Sequence, residues 1–280
     1  MKNEMNDVIL VPTDFSEICD NAINQAAENA KILKYRLYLL HVINKDTWAY
    51  LNKVNLGIGA INDKLEAKAA EVRTKYKLEV ETKALEGSIF TTISEVAQDI
   101  GAALIYLGTH GKVGMQKLTG SFAIKVITSS SVPVIVVQKR PPRKGFKNIV
   151  LPITSDAGPW EKTKWAVFIA RQFGATIHLF QTSTSDESVV EAAKLMDEYF
   201  RKNKVKHTYM ISEKSTGFSG AVINYATSLD ADMILIMTNP DASFSKFLLG
   251  TYDEEMIFNN SQIPVMCINP RKFSYQILGL

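Results

Sequence analysis

The residues of this chain best suited to holding an anion lie between Gly108 and Ser121, in GTHGKVGMQKLTGS. Glycine lets a ligand approach backbone N–H groups, Lys112 and Lys117 carry positive charge, and Ser121 offers a hydroxyl. The stretch is neither of the two common phosphate loops: no window satisfies G-x-x-x-x-G-K-[ST], and G-x-G-x-x-G is absent. Gly108 and Gly111 read as loop, while Gly120-Ser121 stands just ahead of FAIKVITSSS, which reads as a helix. A helix start presents unsatisfied N–H groups and a partial positive charge, so a phosphate can bind there without a Walker lysine. A second group is TDFS, Thr13 to Ser16, whose Asp14 can accept bonds from ribose hydroxyls or meet a phosphate-bound divalent ion. The competing roles are turns beside a sheet for the glycines, and a helix N-cap or turn for Asp14.

Other reactive residue types form no constellation. His41, His178 and His207 lack the spacing of metal ligands, and His41 reads as structural. Cys19 and Cys267 have no activating neighbours and read as packing residues. No acid–base pair, nucleophile with a partner or arginine finger is legible. The expectation is a binding protein rather than an enzyme, with slow hydrolysis of a bound phosphate ligand as the one turnover left open.

These groups must be positioned by strands and helices, and the chain writes that set twice. VILVPTDFS (Val8–Ser16) reads as a buried strand ending in a turn, and NIVLPITSD (Asn148–Asp156) repeats it. Helical patterns follow at Ile18–Leu33 and Glu161–Phe173, the first with a small-residue face of Ala22, Ala26, Ala27 and Ala30. Second strands read at Arg36–Ile43 and Thr176–Thr182, third strands within Lys77–Gly87 and Lys206–Gly217. Helix and buried strand then follow in each copy, ending in SVPVIVVQ (Ser131–Gln138) and QIPVMCIN (Gln262–Asn269). Pro12 to Pro152 is an offset of 140 and Pro133 to Pro264 one of 131. The first copy carries the surplus after strand two, in NKDTWAYLNKVNLGIGA, whose TWAYL, near the expected pocket mouth, reads as a hydrophobic cover of the core, or else as a lid or an interface patch. KRPPRKGFK (Lys139–Lys147) suits an exposed linker between domains 1–140 and 146–280.

Strands alternating with helices imply βαβ units and parallel sheets, here two tandem doubly wound α/β domains of about five strands each. Ligands of such sheets sit beyond the carboxyl ends of the strands where strand order reverses. Thr13 and Asp14 fall at the first of these ends, His41 and Val42 at the second, and the glycine stretch at the fourth. They converge on a nucleoside phosphate. With 32 basic and 29 acidic residues the net charge is +3, which gives no footing for bulk nucleic-acid binding. No stretch approaches a membrane span, and the two cysteines are no disulfide framework, so a cytoplasmic protein is expected.

The first half resembles the universal stress protein family. The matching residues are VPTDFS, HVI, LIYLGTHG, the GS pair and VPVIVV. The signature of that family's ATP-binding branch is G-x2-G-x9-G-[ST]; here Gly108-x2-Gly111-x8-Gly120-Ser121 is one residue shorter. The resemblance implies a Rossmann-like fold of the adenine nucleotide alpha hydrolase type and a stress-response role. It also implies ATP or a related adenine nucleotide as ligand, with Mg²⁺ or Mn²⁺ held through Asp14 and the nucleotide. Asp14 and Val42 would then face ribose and adenine, with Pro12 and Thr13 beside them among the nucleotide-binding residues, while Gly108, His110, Gly111, Gly120, Ser121 and Phe122 surround the phosphates. A homodimer, or a pseudo-dimer of the two copies through their last strands, is implied as well. In the second copy Met237 stands at the Gly108 position, Pro240 at that of Gly111 and Thr154 at that of Asp14, with only Gly250-Thr251 preserved. That copy is expected not to bind ATP in the family manner. The alternative is a protein that binds no nucleotide and acts as an interaction scaffold or holds a small apolar ligand.

Overall fold

The computed structural model describes residues 7–109, 117–153, 159–183, 186–213, 217–238 and 251–269. The chain divides into two compact units, Met1–Lys144 and Gly145–Leu280. In the first, β1 (Val8–Pro12) leads to α1 (Glu17–Leu33) and β2 (Arg36–Ile43). There follow α2 (Lys45–Lys53), α3 (Gly59–Tyr76), β3 (Val80–Glu86), α4 (Ile89–Asp99), β4 (Leu104–Gly108), α5 (Lys117–Ser129) and β5 (Val134–Val137). The five strands pair in parallel in the order β3-β2-β1-β4-β5. Strand order therefore reverses between β1 and β4, and the carboxyl ends of those two strands border the crevice.

The local reasons are readable. β1 and β5 are buried along their whole length, as strands covered on both faces must be, which is why they are continuous aliphatic runs. Ser16 caps α1, its side chain accepting from the Cys19 N–H at 3.4 Å, and Lys34 closes the helix in the left-handed region with φ 61°. The four alanines of α1 are all buried, so this helix lies close to the sheet. The surplus segment after β2 contains α2, started by an Asn44–Thr47 capping box. Its Leu51 packs into the core while Trp48 and Tyr50 stay exposed, so TWAYL is a cover only at Leu51 and Thr47.

The second unit repeats the order: β6 (Asn148–Pro152), α6 (Pro159–Phe173), β7 (Thr176–Thr182), α7 (Glu187–Lys202), β8 (His207–Ser212), α8 (Phe218–Ser228), β9 (Met233–Met237), α9 (Thr251–Ile257) and β10 (Val265–Ile268). Its strands are parallel in the order β8-β7-β6-β9-β10. Register gives the correspondence between units without reference to sequence similarity. Ile9 pairs with Leu104 in the first, Ile149 with Met233 in the second. Gly108 thus matches Met237, and Thr109 matches Thr238.

The stretch between the units is less free than an exposed linker. Asn21 of α1 donates to Gln138 O and Arg140 O at 2.5 and 2.7 Å, and Gln25 Nε2 donates to Arg143 O at 2.9 Å. Phe146 is buried against Phe173 with ring centroids 5.0 Å apart. Among the described residues, no helix is long and apolar enough to cross a membrane.

Candidate functional site

A cavity of about 660 Å³ opens at the carboxyl ends of β1, β2 and β4. Of the ten residues the sequence nominates, Pro12, Thr13, Asp14, Val42, Gly108 and Phe122 all line it. His110 and Gly111 lie outside the described residues, as do the side chains of Gly120 and Ser121. In the second copy Thr154, Pro240 and Gly250 lie outside them too.

The turn after β1 is built by short local bonds. The Thr13 hydroxyl accepts from the Phe15 N–H at 3.0 Å, and Asp14 Oδ1 accepts from the Ser16 N–H at 2.9 Å. Asp14 therefore shapes an Asx turn and leaves the N-cap to Ser16. Its side chain is exposed at the cavity rim. The same turn holds Phe15 at φ 64°, a conformation uncommon for a bulky residue. Phe15 stacks on His41 at 4.8 Å, and the Lys64 ammonium lies 4.4 Å from the Phe15 centroid and 5.8 Å from that of Tyr50. Lys64 from α3 and Tyr50 from α2 thus reach the cavity from the surplus segment and the helix after it. Sequence reasoning placed TWAYL near the pocket mouth but had no signal for Phe15 or Lys64.

His41 is buried and ties three elements together. Its Nδ1–H donates to Thr13 O at 2.8 Å and its Nε2 meets the Thr47 hydroxyl at 3.1 Å, an arrangement of the neutral ring. Burial lowers its pKa below the ordinary value, outweighing the bond to Thr13 and the charge of Asp14. Val42 comes next. The Arg36 N–H bonds Asp7 O and the Leu40 carbonyl accepts from Thr13, toward β1; the Leu37 N–H and Ile43 carbonyl bond toward β3. Alternation puts the Val42 amide and carbonyl on the β1 side, beyond the last β1 pair at Pro12–Leu40. An edge that carries a donor beside an acceptor can meet it there.

On β4 two expectations are corrected. Gly108 is not in the loop but is the last residue of the strand, paired with Val137. A Cβ there would meet Ile18 O at 2.9 Å and Cys19 Cα at 3.1 Å. Its first requirement is therefore close packing of α1 on β4, which no larger residue permits. Gly120 and Ser121 do not precede the following helix but lie inside α5, which begins at Lys117. A single glycine costs a helix only about 1 kcal/mol and does not by itself set the boundary. Phe122 stacks on Phe90 at 5.1 Å and lines the far wall. Cys19 also lines the cavity; burial, and next the charge of Asp14, push its thiol up to about 12, so it is an inert packing group.

The profile described as "Universal stress protein family" matches residues 5–138. Two universal stress proteins of Methanocaldococcus jannaschii are similar over 47% of this chain: one is 31% identical with 81% of its length covered, the other 30% identical with 94% covered. The chain belongs to the universal stress protein family. A crystal structure of a universal stress protein from Archaeoglobus fulgidus, 17% identical, matches with a TM-score of 0.75 over 95% of this chain and all of that one. That likeness shows the fold, and it extends over both units. The family membership agrees with the resemblance read from VPTDFS, GTHG and VPVIVV.

Proposed function

We propose that this universal stress protein binds ATP or a related adenine nucleotide in its N-terminal unit. The carrying observation is convergence: Asp14, the Val42 backbone edge and Gly108 come from three strand ends and line one cavity at the β1–β4 switch point. Val42 meets the base edge, Asp14 the ribose hydroxyls, and the segment from Gly108 to Phe122 the phosphates. Among the described residues no group of three or more His, Cys, Asp or Glu could hold a metal ion. Mg²⁺ or Mn²⁺ would therefore enter with the nucleotide, held by phosphate oxygens with Asp14 at the rim. The second unit carries Met237 in place of Gly108, a side chain where the first unit has room only for the backbone of α1. Binding, not turnover, is the activity proposed, in the setting of a stress response.

Calorimetric titration of the full chain with Mg²⁺-ATP tests this, and one site per chain is expected. Asp14→Ala removes a single exposed turn residue and should weaken ATP at least about tenfold. Equal affinity in the variant, or no binding by the parent, sinks the reading. Gly108 is a poor test, because its substitution disturbs α1 packing whether or not a ligand binds. A second reading, an interaction scaffold, is favoured by the exposed Trp48, Val54 and Leu56 of the surplus segment. Mass spectrometry of gently purified protein separates the two, since only the first predicts co-purified adenine nucleotide.

A further inference from the structure

We infer that β8 is a pairing edge for a second copy of this chain: two copies join antiparallel along it, about a two-fold axis at Met210. Among the described residues β8 pairs with β7 alone. Lys206 O accepts from the Ile177 N–H and Ser212 O from the Ser183 N–H, both at 2.9 Å. Lys206, Thr208, Met210 and Ser212 thus turn their backbone groups to β7, and alternation turns those of His207, Tyr209 and Ile211 outward. The side chains at the centre of the strand are apolar and uncovered: Tyr209 is 44% exposed, Met210 40% and Ile211 48%. Because they are consecutive, they line both faces of the edge. A row of open N–H and C=O groups flanked by apolar side chains is a template for another strand.

The repeat supplies the comparison. β3 holds the same place in the first unit, and its edge is guarded. Glu79 O accepts from the Leu37 N–H, so alternation turns the Val80 carbonyl outward; there Arg73 of α3 covers it, Nε donating to Val80 O at 3.1 Å. The exposed positions of β3 are Lys83 and Glu86, the kind of residue that keeps a strand edge single. From His207 to Ser212 there is no Lys, Arg, Asp or Glu. One unit blunts this edge and the other leaves it open.

The occupant that fits is the same strand, because it complements itself. With Met210 on the axis, Tyr209 of each copy stands opposite Ile211 of the other, and His207 opposite Glu213. Both are hydrogen-bonded pairs, since these residues turn their backbone groups outward. Two Tyr–Ile contacts and a central Met–Met contact make one apolar strip. Charge favours the antiparallel direction. Lys204, Lys206 and His207 stand at the start of the strand and Glu213 just past its end. Antiparallel copies bring each acidic end to the other's basic start, whereas parallel copies would set Glu213 beside Glu213. A two-fold contact uses both edges, so assembly closes at two. A strand this short buries little surface, which puts the expected dimer in the micromolar range. The inference is independent of what fills the cavity of the first unit.

Sedimentation equilibrium of the full chain from about 1 to about 200 μM tests it, and a passage from monomer to dimer is expected. Met210→Lys sets two ammonium groups face to face on the axis and should weaken the dimer at least about tenfold. Thr82→Lys, on the guarded edge of β3, should leave the dimer within about twofold. Met210 is exposed, so Met210→Lys should melt close to the parent. A second variant tests the register without adding charge. In Met210→Cys the two introduced thiols face each other across a pair with Cα atoms about 4.5 Å apart, and mild oxidation should link the chains. Thr208→Cys, displaced by four residues from its counterpart, should not link. The native Cys19 and Cys267 are buried and do not compete. A parent that stays monomeric at the highest concentration overturns the inference. So does a dimer that Met210→Lys leaves intact, or linkage as fast in Thr208→Cys as in Met210→Cys.

Discussion

At the end of its fourth strand the N-terminal unit has Gly108 and the C-terminal unit has Met237, and their surroundings differ to match. Gly108 lets the backbone of α1 come within van der Waals contact of β4. Below it lies a buried polar pair, with Asn29 of α1 donating to the Tyr106 hydroxyl of β4 at 2.6 Å. The same two places in the C-terminal unit hold Ile169 and Leu235, both buried. Where α1 carries Ala22, α6 carries Lys162, buried, with its ammonium donating to the Pro152 carbonyl at 2.9 Å. The strand order is unchanged through all of this. A parallel sheet asks only that its helices cover it, and apolar or hydrogen-bonded contacts serve equally. A ligand site asks for particular atoms at particular strand ends, so it can be lost while the fold is kept.

The comparison breaks most readily at Gly108. Gly108→Val forces a side chain onto the Ile18 carbonyl and should cost about 3 kcal/mol in urea unfolding. Met237→Val, where a side chain is already housed, should cost only about 1 kcal/mol. Similar losses at the two positions would show that α1 is not held tightly by Gly108. Next in size is the polar pair. Tyr106→Phe leaves the Asn29 amide short of an acceptor and should cost about 1–3 kcal/mol. Adding Asn29→Leu should recover part of that loss, because the pair then becomes the apolar kind that the other unit uses. Strictly additive losses would mean that the bond sets nothing.

The smallest effect is acid sensitivity. Burial lowers the pKa of both His41 and His178 from the ordinary 6.5. Each ring is held neutral when folded and takes up a proton more readily when unfolded. The unfolded chain therefore binds more protons as pH falls below 6.5, and stability declines from there toward the folded pKa values; above 6.5 these two groups add no slope. His41→Gln and His178→Gln should each flatten that decline in thermal melts across the window. Only His41 touches the cavity, through Thr13 and Thr47, so only His41→Gln should also change ATP affinity. An equal effect of both variants on binding would remove the distinction.

Much of the fold was legible because it repeats. Two aliphatic runs before Pro12 and Pro152, and two before Gln138 and Asn269, place β1, β6, β5 and β10. The offset between copies, 140 near the start and 131 near the end, is reproduced by strand register. That Asp14 and Val42 line the cavity was legible because both stand at strand ends, where the crevice of such a sheet opens. In sequence Gly108 reads as loop, because a glycine after an aliphatic strand looks like one, and only the closeness of α1 shows why it ends β4. Gly120 reads as a helix boundary in sequence but lies inside α5, because propensity at one residue is a weak signal beside that of its neighbours. Lys64 had none, since reaching Phe15 depends on how α3 lies against a turn far away in sequence.

The amino-acid sequence alone determined that this chain is two parallel α/β units and that the positions of Gly108 and Gly111 are held by Met237 and Pro240 in the second. Hydrophobic period, turn residues and the loss of glycine at Met237 are local properties, written in consecutive residues. What the tertiary structure decided is which polar atoms are satisfied. Thr109 and Thr238 are the same residue after the same strand, yet the Thr238 hydroxyl donates to Ile268 O at 3.2 Å while that of Thr109 has no partner among the described residues. No sequence window distinguishes them. The distinction lies in whether Ile268 and Asn269 come within reach of one while Val137 and Gln138 leave the other alone. Hydrogen bonding depends on distances of a few ångströms between segments far apart in the chain, and those distances exist only once the sheet has formed.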